Sequence, residues 1–146
     1  MINKKILSHR NSIIFLTICF TGLYLRLFNI NFDDYWLDEQ ASFWVADPQL
    51  SFSETINRSY NLDLGAHLTF SILLKKFFQF FGYEPSVGRF LPLIFGFLSI
   101  LAISYLAFYL QNGKSYIFVA FLTSINFYLI SYSQELRSYS LIFLLS

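Results

Sequence analysis

Cysteine, proline, glycine and charge are all scarce in this 146-residue sequence. The one cysteine, Cys19, lies inside an apolar run, which excludes an internal disulfide and leaves a small apolar filler as its reading. Three prolines and six glycines exclude collagen-like repeats and Pro/Gly-rich linkers. No internal repeat or composition shift divides the chain into domains. Charged residues make up only 13%, against about 25% in ordinary soluble domains. Ten Lys and Arg nearly balance nine Asp and Glu. That balance excludes the basic excess of a nucleic-acid binder or a polybasic membrane anchor.

What the chain has instead is apolar and aromatic mass. Hydrophobic residues reach 55% and aromatics 21%, a composition suited to lipid-facing surfaces and interfacial belts. The expected fold class is therefore all-α: a polytopic helical membrane protein with juxtamembrane amphipathic helices in its first extracytoplasmic loop. The first candidate span runs from Ser12 to Ile30, close to the roughly 20 residues a bilayer core requires. Lys4, Lys5 and Arg10 precede it and place the N-terminus in the cytoplasm. A signal peptide would share that basic start, but Tyr24-Leu25-Arg26-Leu27 continues the helix where small residues would mark a cleavage site. Arg26 falls near the outer end, where it can snorkel or meet a buried partner.

The stretch from Asn31 to Ala66 is the most polar and reads as two short helices. Asp33 or Asp34 is positioned to cap a helix over 35–46, which Asp47-Pro48 stops. On it Leu37, Ala41 and Trp44 share one face, while Tyr35, Asp38, Glu39 and Ser42 share the other. Such a helix is expected to lie along the membrane and lift its carboxylates away from lipid, with Trp36 and Trp44 as interfacial anchors. Ser51-Phe52-Ser53-Glu54 spells a capping box that opens a second helix over 51–60. Asn57-Arg58-Ser59 matches a glycosylation acceptor by pattern and is taken as coincidence. A third helix over 67–81 has Phe70, Leu73, Leu74, Phe77, Phe78 and Phe81 at helical spacing, with Lys75, Lys76 and Gln79 on another face. Paired mid-segment lysines favour an interfacial helix over a spanning one.

Two uncharged spans follow, 90–110 and 116–132, joined by the turn Gln111-Asn112-Gly113-Lys114. A further span opens near Tyr139 and stops with the chain at Ser146, the pattern expected of a fragment or truncated product. If 67–81 lies in the interface, Asp38, Glu39, His67, Arg89, Glu135 and Arg137 share the outer side of the membrane. If it crosses, Arg89 and Glu135 move to the cytoplasmic side. The first arrangement gathers the ionisable residues and is the one adopted.

The Asp38-Glu39 pair just beyond the first span is the sharpest chemical feature. Glycosyl transfer needs a carboxylate to take the acceptor hydroxyl proton as the anomeric carbon becomes oxocarbenium-like. It also needs cations for the departing phosphate, which Arg89 and Arg137 can supply at two membrane boundaries. Glu135 is placed to orient the arginines or the sugar, or simply to neutralise Arg137. No His/Cys cluster offers a dedicated metal site, although a carboxylate pair could hold a divalent ion beside a phosphate. The expected cofactor is none.

Leu25-Arg26-Leu27 followed by Trp36-Leu37-Asp38-Glu39-Gln40-Ala41-Ser42 resembles the start of the GT-C glycosyltransferases. Phe81-Gly82, then Gly88-Arg89-Phe90-Leu91-Pro92, and Tyr132-Ser133-Gln134-Glu135-Leu136-Arg137-Ser138-Tyr139 extend the likeness. The nearest relatives look like the protein O-mannosyltransferases and the bacterial lipid A aminoarabinose transferases. The resemblance covers nearly all of this chain but only the N-terminal portion of the family's larger fold. It implies a polyprenyl-phosphate-linked sugar as donor, presented on the extracytoplasmic face of the plasma (inner) membrane, and a lipid, glycan or protein as acceptor. It implies Asp38 as catalytic base, Glu39 as its partner and Arg89 as a contact for the lipid phosphate. Arg137, Glu135, His67 and Tyr139 stand as further substrate-binding candidates. One departure concerns His67, followed here by Leu68-Thr69 where many relatives have two prolines and a leucine. The alternative is a non-catalytic membrane subunit or inactive remnant that binds a partner or an anionic lipid. A transporter predicts ionisable residues inside the spans, and 90–110 and 116–132 contain none.

Overall fold

The computed structural model describes residues 9–111, 113 and 115–146. Lys4 and Lys5, which with Arg10 set the expected sidedness, lie outside them, as do Asn112 and Lys114 of the expected turn. The described residues are helical and include no strand. The helices are α1 (His9–Leu27), α2 (Leu37–Val45), α3 (Phe52–Asp63), α4 (Leu68–Phe81), α5 (Pro85–Gly88), α6 (Phe90–Leu110), α7 (Tyr116–Ile125), α8 (Phe127–Gln134) and α9 (Tyr139–Leu145).

α6 is the central post. α1, α7, α8 and α9 pack against it, and α1 also packs against α7 and α8. The helices α2, α3, α4 and α5 form a second layer, joined to the post through α5. One core cluster, built on Phe70, Leu74, Phe78, Leu91, Leu136 and Leu141, ties the two layers together. A smaller one, Cys19, Ile100 and Ala120, sits within the bundle, where Cys19 is the expected apolar filler.

The bundle's interior is made of small and hydroxylic residues. Gly22, Gly96, Ser99, Ser104, Ala120, Thr123, Ser124 and Ser133 are buried. A Cβ on Gly22 would meet Ile100 Cδ1 at 2.7 Å and Ser124 Oγ at 2.8 Å, and one on Gly96 would collide with Ser133. Only glycine allows these backbones so close. The outer faces carry the bulk: Phe20, Tyr24, Tyr105, Leu106, Tyr109, Phe118, Phe127 and Tyr128 are all more than half exposed.

Three expectations are corrected, and one alternative, that of Arg26, is resolved. The segment 116–132 is not one straight span: it breaks at Asn126 and bends by 58°. Asn126 leaves the helix (φ −64°, ψ 119°), and its side chain accepts from Leu129 N at 3.1 Å to cap α8. The carbonyls stranded at the end of α7 are taken by Arg26, whose Nη1 donates to Ser124 O and Nη2 to Thr123 O, each at 3.2 Å. Arg26 thus meets a buried partner and does not snorkel; it is 0% exposed. The helix over 35–46 begins two residues late, at Leu37, with Trp36 as a cap that makes no side-chain bond. Lys75 and Lys76 do not act together: Lys76 is exposed beside Gln79, whereas Lys75 is buried and donates to Asp47 O at 2.8 Å and Leu50 O at 2.6 Å. Tying down the α2–α3 connection is what draws it inward.

The capping box holds as read, with Ser51 Oγ accepting from Glu54 N and the Glu54 carboxylate accepting from Ser51 N. α3 runs three residues beyond the expected end and closes on Leu64 and Gly65, both left-handed (φ 56° and 79°). Gly65 N donates to Ser59 O and closes the helix end, in a left-handed conformation that suits glycine. Among the described residues one helix is long and apolar enough to cross a membrane, the α5–α6 stretch Pro85–Leu110, and the bent α7–α8 pair adds a second if taken as one span. α1, which opens on His9-Arg10-Asn11 and ends near Arg26, is not among them. The 14 residues of α4 rise only about 21 Å, short of a bilayer core of roughly 30 Å.

Candidate functional site

The polar residues collect where the second layer meets the ends of α1, α6 and α8. Here Asp38 and Glu39, neighbours in sequence, part company. A helix turns about 100° per residue, so adjacent side chains face different ways, and the packing of α2 sends these two into different surroundings.

Glu39 is 0% exposed. Its Oε1 accepts from Arg89 Nε at 2.8 Å and its Oε2 from Arg89 Nη2 at 2.7 Å, a bidentate pair. Oε1 also accepts from Leu136 N at 2.7 Å. Arg89, itself buried, spends its remaining donors on the α1–α2 connection, with Nη1 bonding Ile30 O and Asp33 O at 2.9 Å and Nη2 bonding Asp34 O at 3.4 Å. All five of its N–H groups are engaged within the protein. Tyr35 lies under the guanidinium, 5.1 Å from its carbon, and donates to Pro85 O. Burial, and then the Glu39 charge, push the Tyr35 phenol well above its ordinary range. Glu39 and Arg89 thus bolt together α2, the start of α6 and the α8–α9 connection.

The cleft beside this bolt, about 320 Å³, is lined by Asp33, Asp34, Trp36, Glu39, Gln134 and Glu135 among others. Gln134 Nε2 donates to Leu25 O, Arg26 O and Phe28 O, so it caps the end of α1. Burial, followed by the Glu39 charge, raises the Glu135 carboxyl above its usual range, against the opposing pull of Arg137 and Arg89. Glu135 makes no ion pair with Arg137; among the described residues Arg137 pairs with Asp38 instead.

Asp38 opens into a second cleft of about 130 Å³, shared with Ser42, Ser59, Asp63, His67, Ser71 and Arg137. Its side chain is 44% exposed, with Oδ2 3.8 Å from Arg137 Nη2. Arg137 Nη1 donates weakly to Asp38 O at 3.4 Å, and Nη2 lies 3.2 Å from His67 Nε2. Arg137 Nε is buried without a partner. The other ring nitrogen of His67, Nδ1, is 2.7 Å from Ser138 Oγ, and Nε2 is 3.6 Å from Asp63 Oδ2. Tyr139 lines neither cleft; its ring lies 4.9 Å from Tyr132 and 5.9 Å from the Arg137 guanidinium carbon.

The structure therefore brings Asp38, His67 and Arg137 into one cleft and puts Glu39, Arg89 and Glu135 at the other. Asp63 and Ser138 were not singled out from sequence, though Asp63 and His67 stand four apart, a spacing that a continuous helix would have made suggestive. Here the Leu64-Gly65 turn, not a helix, brings them together. Among the described residues no group of three or more His, Cys, Asp or Glu is placed to hold a metal ion. No family model, curated protein or solved structure matches the chain.

Proposed function

We propose that this chain forms the donor-side part of a polytopic membrane glycosyltransferase of GT-C type, moving a sugar from a polyprenyl phosphate to an extracytoplasmic hydroxyl. Membrane residence is supported by the inverted bundle: bulky aromatics outside, glycine and serine inside, with the one buried bundle arginine bonded to backbone carbonyls. The observation that carries the catalytic reading is the separation of the two acidic neighbours. Glu39 is fully committed to Arg89 and the Leu136 amide, whereas Asp38 keeps an open carboxylate beside an arginine with donors to spare.

In this reading Asp38 removes the proton from the acceptor hydroxyl as its oxygen bonds to the anomeric carbon. The bond from that carbon to the phosphate oxygen breaks with its electron pair, and Arg137 receives the growing negative charge. Arg89, named from the resemblance as the phosphate contact, contributes instead by holding the α1–α2 connection and the α8–α9 connection in register. The deciding experiment supplies radiolabelled polyprenyl-phosphate sugars to membranes carrying the complete reading frame. Transfer by wild type that falls by about 10²–10⁴-fold in Asp38→Asn at equal expression is the expected result. Equal transfer by both proteins removes Asp38 from the mechanism. No transfer from any donor favours a non-catalytic, lipid- or partner-binding subunit.

A further inference from the structure

The cleft around His67 contains a pairing that changes sense with one proton. An Arg137 N–H can bond His67 Nε2 at 3.2 Å only while that nitrogen keeps its lone pair, so the ring hydrogen must sit on Nδ1 and point to Ser138 Oγ at 2.7 Å. When Nε2 gains a proton, two donors face each other and that contact turns repulsive. The acceptor then within reach is Asp63, whose Oδ2 is 3.6 Å away and whose Oδ1 is buried without a partner. The charged groups facing the ring are Asp38 from α2, Asp63 from the end of α3 and Arg137 from the α8–α9 connection; its own helix adds only the Ser71 hydroxyl to the cleft. With a neutral ring, two carboxylates face one guanidinium and the cleft has a net negative charge that repels anions. With a charged ring it is balanced, Arg137 Nη2 has lost its bond to His67 and keeps only the long contact to Asp38, and Nε lacks an acceptor.

We propose that Asp63 and His67 form a proton-operated latch on Arg137, so that protonating His67 turns the cleft into an oxyanion site sized for a phosphate or sulfate group. The proposal rests on the reading of this cleft as the phosphate end of a transferase site. Asp63 is a positioning residue: it accepts the imidazolium and thereby releases the arginine. Anion affinity therefore rises as pH falls and the imidazole gains its proton.

The test uses the full chain in nanodiscs with two probes whose charge stays constant over the range: inorganic sulfate and a polyprenyl-phosphate sugar, a phosphodiester. Sulfate should bind about tenfold more tightly near pH 6 than near pH 8, the scale of one added charge at short range in a partly solvated site. Asp63→Asn and His67→Gln should each flatten that ratio to within about twofold, and Arg137→Gln should abolish binding. Because a variant can fail to fold, the wild type is also measured by calorimetry near neutral pH in two buffers of different ionisation heat. Uptake of a fraction of a proton with sulfate supports the latch, and no uptake overturns it, as does a pH ratio unchanged in both Asp63→Asn and His67→Gln. Linked sulfate binding without any binding of the lipid probe keeps the latch and removes the lipid-phosphate donor. Lipid-probe binding with no pH linkage removes the latch and keeps the transferase reading. Failure of both probes to bind removes the latch.

Discussion

At the scale of single residues, the fate of a carboxylate here depends on how many donors its neighbours have left. Arg89 has none and Arg137 has several, so one pair is a structural bolt and the other is open to a ligand. Removing one partner of a buried pair leaves an uncompensated charge, at a cost of about 3–5 kcal/mol. Arg89→Leu should therefore lower the thermal midpoint in detergent sharply, whereas the partly exposed Asp38→Asn should leave it nearly unchanged. Glu135 gives a pH prediction. Its carboxyl is raised in the folded protein, chiefly by burial, so the folded state binds its proton more tightly than the unfolded chain does. Its contribution to stability is fully present below the ordinary glutamate range and is lost as pH rises through it to the raised value. Glu135→Gln should thus stabilise the protein at neutral pH and remove that part of its acid-side gain in a series of unfolding curves.

At the scale of elements, the instructive case is the α7–α8 break. Thr123, Ser124 and Asn126 sit in an otherwise apolar run, and polar residues of this kind bond to backbone readily enough to compete with helix. Hydropathy treats the run as one span, while the Asn126 cap and Arg26 together satisfy the groups that the break exposes. The break also brings Ser133 of α8 against Gly96 of α6, close to Arg26. A side chain at that position has no room, since Ser133 belongs to the facing backbone turn and Arg26 is bonded in place. Gly96→Val should cost about 1–3 kcal/mol from overpacking, read as a lowered unfolding midpoint, and Gly82→Ala is not an equivalent control because Gly82 has φ 103°. The two capping motifs show the contrast in legibility. The Ser51/Glu54 box is local and was readable; the start of α2 was not, because Asp33 and Asp34 lend their carbonyls to Arg89 instead of their carboxylates to the helix.

At the scale of the whole molecule, the bundle and the second layer differ in what they present. The bundle exposes aromatic and aliphatic side chains around its flank, and the second layer exposes Trp36, Trp44, Phe52, Leu64 and Phe80 beside charged groups. Under the proposed membrane residence, a bilayer around the bundle flank would put the second layer at its headgroups, as suits short helices with mixed faces. The protein has two tryptophans, at 48% and 47% exposure on α2 and its cap, so tryptophan emission, excited beyond the tyrosine band, reports on that layer alone. Lipids brominated near the headgroup should quench it strongly and lipids brominated near the bilayer centre weakly. Quenching by aqueous iodide with none from either lipid would place the layer in water, away from the membrane.

Local sequence was enough to make the protein helical, to place most of its helices and to mark the box that caps α3. These properties depend on neighbours within a turn or two of the chain, so composition and periodicity report them. Tertiary structure alone decided which of two adjacent carboxylates is sealed, which arginine has donors to spare, and that the lysine pair splits between solvent and interior. Glu39 meets Arg89 across 50 residues and Arg26 meets Ser124 across 98. A charged side chain can be buried only where distant groups converge to satisfy it, and helical spacing carries no record of that convergence.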